Sequence, residues 1–230
     1  DEVVTIPHEI NGHPMTSYFK MFYDTGSNVK KIISDNKNVT DMHYMFYNSK
    51  SIELDLSELD TSNVTDMSWM FASSEATSLD LDNFNTSKVT YMNHMFNGSQ
   101  ATELDLSNFD TSKVIYMYGM FCNSQATSLD LSKFDTSNVI YMHEMFRNSQ
   151  ATLLNLSNFN TSNVENMSYM FYSSKAMELD LSSFDTSNVI NMSSMFADSI
   201  TTTGYARTQD DADKFNASSG KPSKLTFVVK

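Results

Sequence analysis

Tyr91, Tyr116 and Tyr141 stand 25 residues apart, and their type and spacing suit recognition chemistry better than any other set in the chain. Residues separated by a fixed period come to lie above one another when a chain coils with that period. With coils about 4.8 Å apart, three phenol rings would form a platform roughly 10 Å long, on which sugar rings could stack. Tyr118, His94 and His143 fall within three residues of the row, and Ile115 and Ile140 flank it. The same row also fits an aromatic ladder that only steadies the fold.

A second row is acidic: Asp55, Asp80, Asp105, Asp130 and Asp180, with Asn155 in the one remaining place. Unit charges about 4.8 Å apart repel by just under 1 kcal/mol in water. That repulsion predicts raised carboxyl pKa values, and so a stability that declines as pH climbs through them. It also predicts that attachment to an anionic polymer would strengthen in mild acid.

Other reactive residues lack a working arrangement. His8, His13, His43, His94 and His143 never fall at metal-ligand spacing, and His43 and His143 share a repeat position four coils apart, so no metal is expected. Cys122 is alone, which excludes an internal disulfide. Ser, His and Asp are all present, but a coil with a continuous side offers nothing to exclude water or orient a nucleophile, so the chain reads as no enzyme and without cofactors. The corner Asp60-Thr61-Ser62 recurs as Asn85-Thr86-Ser87 and Asp110-Thr111-Ser112. Asn replaces Asp freely there, which suits an Asx turn rather than acid–base chemistry.

What must position all of these is a 25-residue unit written six times, marked by Leu54-Asp55-Leu56 and its copies up to Leu179-Asp180-Leu181. A unit that short cannot bury its own apolar face, so each copy must stack on its neighbours. The Leu-Asp-Leu alternation predicts a short strand with the leucines inward, and stacked copies a narrow parallel sheet. Val64, Met67, Met70 and Phe71 are spaced by three, three and one, which predicts an extended start passing into one helical or 3-10 turn. Phe71 and Phe84, with their copies, should form two internal ladders, and most of the 17 methionines fill gaps between them. The fold class expected is a right-handed parallel leucine-rich-type β-solenoid of about seven coils.

The ends depart from the pattern. Residues 1–28 read as an N-terminal cap with a degenerate repeat, 29–199 as the solenoid and 200–230 as a closing cap. In the last, Thr208 with Asp211 opens a short helix, and Leu225 to Val229 reads as a strand after Pro222. The net charge of −13 argues against nucleic acid and anionic membrane as partners, and no apolar run reaches membrane-spanning length.

Asn63 to Phe71 and Leu104 to Ser112 resemble the BspA-type leucine-rich repeats of bacterial surface proteins, specifically the DUF285 repeat. The resemblance spans residues 29–199, and Gly204 to Thr208 resemble the family's cap. Such repeats are found in cell-wall-anchored proteins of lactobacilli, enterococci and listeriae and in mycoplasma lipoproteins. The resemblance implies an extracellular module, here an excised fragment acting as a monomer, that adheres to host mucin, another glycoprotein or matrix. It carries no catalytic residues. A structural stalk and a binder of a host protein receptor are the alternatives to glycan adhesion.

Overall fold

The Leu-Asp-Leu group and the Val-x-x-Met-x-x-Met-Phe group face one shared core. Leu56, Val64, Met67, Met70 and Phe71 are all fully buried. The computed structural model describes residues 3–25 and 29–230, so residues 1, 2 and 26–28, all within the cap assignment, lie outside it. The chain is a parallel β-solenoid of about nine turns, two more than the seven read from the repeats. The additional turns come from sequence-degenerate ends that keep the coil's backbone. Ser17 to Asp24, inside the segment read as a cap, already follows it, with Tyr18 buried at a methionine position.

On the strand side lie β1 (Val3–Thr5), β2 (Glu9–Ile10), β3 (His13–Pro14), β4 (Lys31–Ser34), β5 (Glu53–Leu59) and β6 (Ser78–Leu79). They are followed by β7 (Ser128–Asp130), β8 (Leu153–Asn155), β9 (Glu178–Leu181), β10 (Thr203–Ala206), α1 (Gln209–Asn216) and β11 (Thr226–Val229). β2 and β3 form a small antiparallel hairpin, and every other pairing is parallel. The expected sheet is not continuous: it divides into β1-β4-β5-β6, β7-β8 and β11-β10-β9. No strand forms at Leu104-Asp105-Leu106. The Asn108 amide donates to the carbonyls of Leu81 and Asp82 on the coil before, at 3.1 and 2.7 Å, and Asn83 makes the equivalent bonds beside the paired strands β5 and β6, so these side-chain bonds accompany the coil with or without a ladder.

The unbroken ladder runs along the other side. Ser17, Asp41, Asp66, Tyr91, Tyr116, Tyr141, Asn166 and Asn191 bridge one to the next in parallel, coil after coil. The segment after each of them is neither helical nor 3-10. Its N–H groups alternate in direction. Those of Met92, His94, Phe96 and Gly98 donate to Tyr116, Tyr118, Met120 and Cys122 on the next coil, while those of Met95, Asn97 and Ser99 close turns to Met92, His94 and Phe96. Left-handed residues make this alternation possible: His94 has φ +57° and Gly98 φ +67°, and the equivalent residues of the other coils share that region. A helix cannot run through such residues.

Of the two expected phenylalanine ladders one is continuous, while in the other the rings stack, among the described residues, only at Phe84–Phe109 and Phe159–Phe184. Phe46, Phe71, Phe96, Phe121, Phe146, Phe171 and Phe196 stack with centroids 5.5–5.8 Å apart. At the corners, Asp60 and Asn85 each accept the N–H two residues on, at 2.8 and 3.1 Å, so Asn does serve as well as Asp. Each corner threonine also donates to the next coil's carbonyl, as Thr161 does to Asp185 O at 2.9 Å. The last coil has no successor, and the cap substitutes for one. Asp211, buried in α1, accepts from the Thr186 hydroxyl at 2.6 Å and its N–H at 3.0 Å. Burial works to raise the Asp211 carboxyl, but Thr186, Thr208 and Arg207 outweigh it and hold its pKa at about 2.

Candidate binding surface

The solenoid puts the six residues singled out for recognition into one connected cluster. Tyr91 and Tyr116 stack with centroids 4.9 Å apart and planes 3° apart, and Tyr116 and Tyr141 at 5.7 Å and 14°. Tyr118 stacks on His143 at 4.6 Å, His94 meets Tyr118 edge-on at 5.1 Å, and His143 meets Tyr141 at 6.5 Å. The expected platform needs correction, however. Each ring turns its faces to its neighbours along the axis, which leaves edges and hydroxyls to solvent. None of the hydroxyls of Tyr91, Tyr116 and Tyr141 bonds to another group among the described residues. What is offered outward is a row of three free phenolic O–H groups, one on each of three successive coils.

The cluster continues toward the N-terminus through residues that the tyrosine row did not announce. His94 stacks on Trp69 at 4.0 Å, Trp69 on Tyr44 at 5.6 Å, and Tyr23 on Tyr47 at 5.0 Å. Lys20 lies 4.9 to 5.6 Å over Phe19, Tyr23 and Tyr44, and at the far end Arg147 lies over Tyr169 and Tyr172. These aromatics occupy the positions two, three and six residues after each ladder residue. Their signal was present in the sequence as columns whose residue type changes from coil to coil.

Gly119 shows how closely the cluster is fitted. It takes the left-handed position that Trp69, His94 and Glu144 hold in other coils, and a Cβ there would lie 2.2 Å from the His94 ring. Glycine therefore lets the imidazole fold between Trp69 and Tyr118. Asn97 donates to His94 Nδ1 at 3.0 Å, and burial pushes the His94 pKa down to about 4. Burial also lowers His143. Cys122 lies beneath, with its thiol pushed up to about 11 by burial.

The acidic row overturns its expectation. Asp55 is held at about 2 by the Ser57 hydroxyl and N–H, the latter at 2.9 Å. Asp105 and Asp130 are lowered in the same way by Ser107 and Ser132. At Asp180, partial burial works upward, but Lys230 and Ser182 outweigh it. Asp80 makes the same turn, accepting the Asp82 N–H at 3.2 Å. Local donors win because repulsion across a water-exposed coil spacing is weak, whereas donors to the charged form act directly on it. Asp55, Asp105, Asp130 and Asp180 therefore stay ionised through mild acid and supply no acid-strengthened attachment.

A family model described as "Mycoplasma protein of unknown function, DUF285" matches residues 15–131 and 94–208. The chain belongs to this family. Together the two matches take in the whole unbroken ladder, from Ser17 to Asn191, and the first begins two residues before it. No curated protein and no solved structure matches the DUF285 chain.

Proposed function

We propose that this DUF285 solenoid is a non-enzymatic adhesion module displayed on a bacterial surface, of the BspA-like kind, which holds the glycans of host mucin or a similar glycoprotein along its turn side. The observation that carries the reading is the row of unbonded hydroxyls on Tyr91, Tyr116 and Tyr141, held in stacked rings at the coil spacing. An extended polyol matches a row of groups that both donate and accept. The rings are ordered before any ligand arrives, so little conformational freedom remains to be lost on binding. Tyr118, His94 and His143 support the row from beside it, and burial lowers the pKa of both imidazoles, that of His94 to about 4. With Asp55, Asp105, Asp130 and Asp180 ionised, attachment at pH 5 should equal that at pH 7.

The test is retention of the chain on immobilised mucin before and after enzymatic removal of its glycans. Retention lost with the glycans is the expected result. Retention that survives deglycosylation would replace this reading with a protein receptor, and no retention at all would favour a stalk.

A further inference from the structure

Asp41 and Asp66 are 25 residues apart, so no local spacing marks them as a pair, yet stacking places them on adjacent coils with His43 beside them. We infer that Asp41, His43 and Asp66 form a binding site for a divalent first-row metal ion, of which zinc fits the donors best. One donor atom from each of the three lies within 4.8 Å of the others, and all three side chains are half-buried.

The turn these aspartates make does not need their charge. At the same ladder position Asn166 and Asn191 accept from Ser168 and Ser193 just as Asp66 accepts from Ser68, at 2.8 Å from its N–H and 2.6 Å from its hydroxyl. All of these bonds use Oδ1, which leaves Asp66 Oδ2 without a partner among the described residues. Neither carboxylate pairs with a lysine or arginine among them, and the one basic side chain that Asp41 meets is the His43 ring, at 2.5 Å. Two adjacent carboxylates with surplus charge and one imidazole make a nitrogen and oxygen donor set suited to zinc.

Each ligand is also held from behind. The Ser17 hydroxyl donates to Asp41 Oδ2 at 2.8 Å, Phe19 stacks on the His43 ring at 4.2 Å, and Ser68 fixes Asp66. Such supports orient first ligands and strengthen binding. A cation would open the close His43 to Asp41 contact and take its place. Three protein ligands leave a fourth tetrahedral position for water or for an oxygen of a bound partner. The site lies at the N-terminal end of the aromatic cluster, where His43 also meets Tyr44 at 5.5 Å.

The experiment is titration of the metal-free chain with zinc chloride, with magnesium chloride as a control, following stoichiometry and melting temperature. Asp66→Asn keeps the turn, and His43→Ser installs the residue that other coils carry at this position. The expected result is one zinc per chain, a raised melting temperature, and affinity at least tenfold weaker in each variant whose metal-free melting is unchanged. Absence of saturable zinc binding would overturn the inference. Equal affinity in the variants would do so too, by placing the ion on other surface histidines such as His8 and His13.

Discussion

The two sides of the coil solve the same stacking problem differently. On the strand side the Leu-Asp-Leu motif is nearly invariant in sequence, yet the sheet it builds is broken between β6 and β7 and again between β8 and β9. On the turn side the ladder residue changes from Ser to Asp to Tyr to Asn, yet the bridging never lapses over eight coils. Backbone bonding there is secured by the alternating turns rather than by the side chain in the ladder. That frees the ladder position and its neighbours to vary, and the variation takes the form of aromatic rings. The side with uniform residues is scaffold, and the side with uniform backbone carries the differences, which is where the proposed recognition would act.

The contrast is sharpest in stability. Phe121→Ala, in the buried stack between Phe96 and Phe146, should cost about 3–5 kcal/mol in denaturant unfolding. Leu104→Ala, at the strand-side break where burial is incomplete, should cost less than half as much. Equal losses would remove the distinction between the sides.

Gly119→Ala should cost about 1–3 kcal/mol, since it adds a Cβ at φ +62° and pushes it into the His94 ring. It should also change the fluorescence of Trp69, the only tryptophan, on which that ring stacks. An unchanged emission spectrum would show that His94 is not held as described.

Acid gives a smaller effect. Asp55 and Asp211 are both held at about 2, below their unfolded value near 4, so they contribute stability above pH about 4. That contribution should be lost as pH falls from about 4 to 2, with no gain in melting temperature between pH 7 and 5. A gain on mild acidification would restore the repulsion argument. The smallest effect is expected for Asp105→Asn, where the amide oxygen still accepts the Ser107 N–H. Its melting temperature at pH 7 should match that of the parent, and a marked rise would mean that the charges along the row do oppose one another.

Uniform columns were legible in the sequence. The parallel solenoid, the continuous phenylalanine ladder from Phe46 to Phe196 and the Asx corners follow from residue types that repeat at one position, because stacking imposes the same burial on every copy. The turns were half legible. Asn48, His94, Gly98, Asn123, Asn148 and Asp198 are residue types that tolerate a left-handed backbone. Tyr44, Trp69 and Ser73 adopt it without any such signal, because next-coil bonds hold them there. The acidic row misled because charge spacing is plain in a sequence while the serine two residues on looks incidental. Contacts between columns, such as His94 edge-on to Tyr118 or His43 against Asp41, depend on side-chain direction and leave no mark in a period.

The most direct test of the turn side as the working surface is mucin binding by the Tyr91/Tyr116/Tyr141→Phe variant, which keeps the stacked rings and removes only the hydroxyls. The account predicts unchanged melting with retention on mucin lost at both pH 7 and pH 5. Full retention by this variant would contradict it.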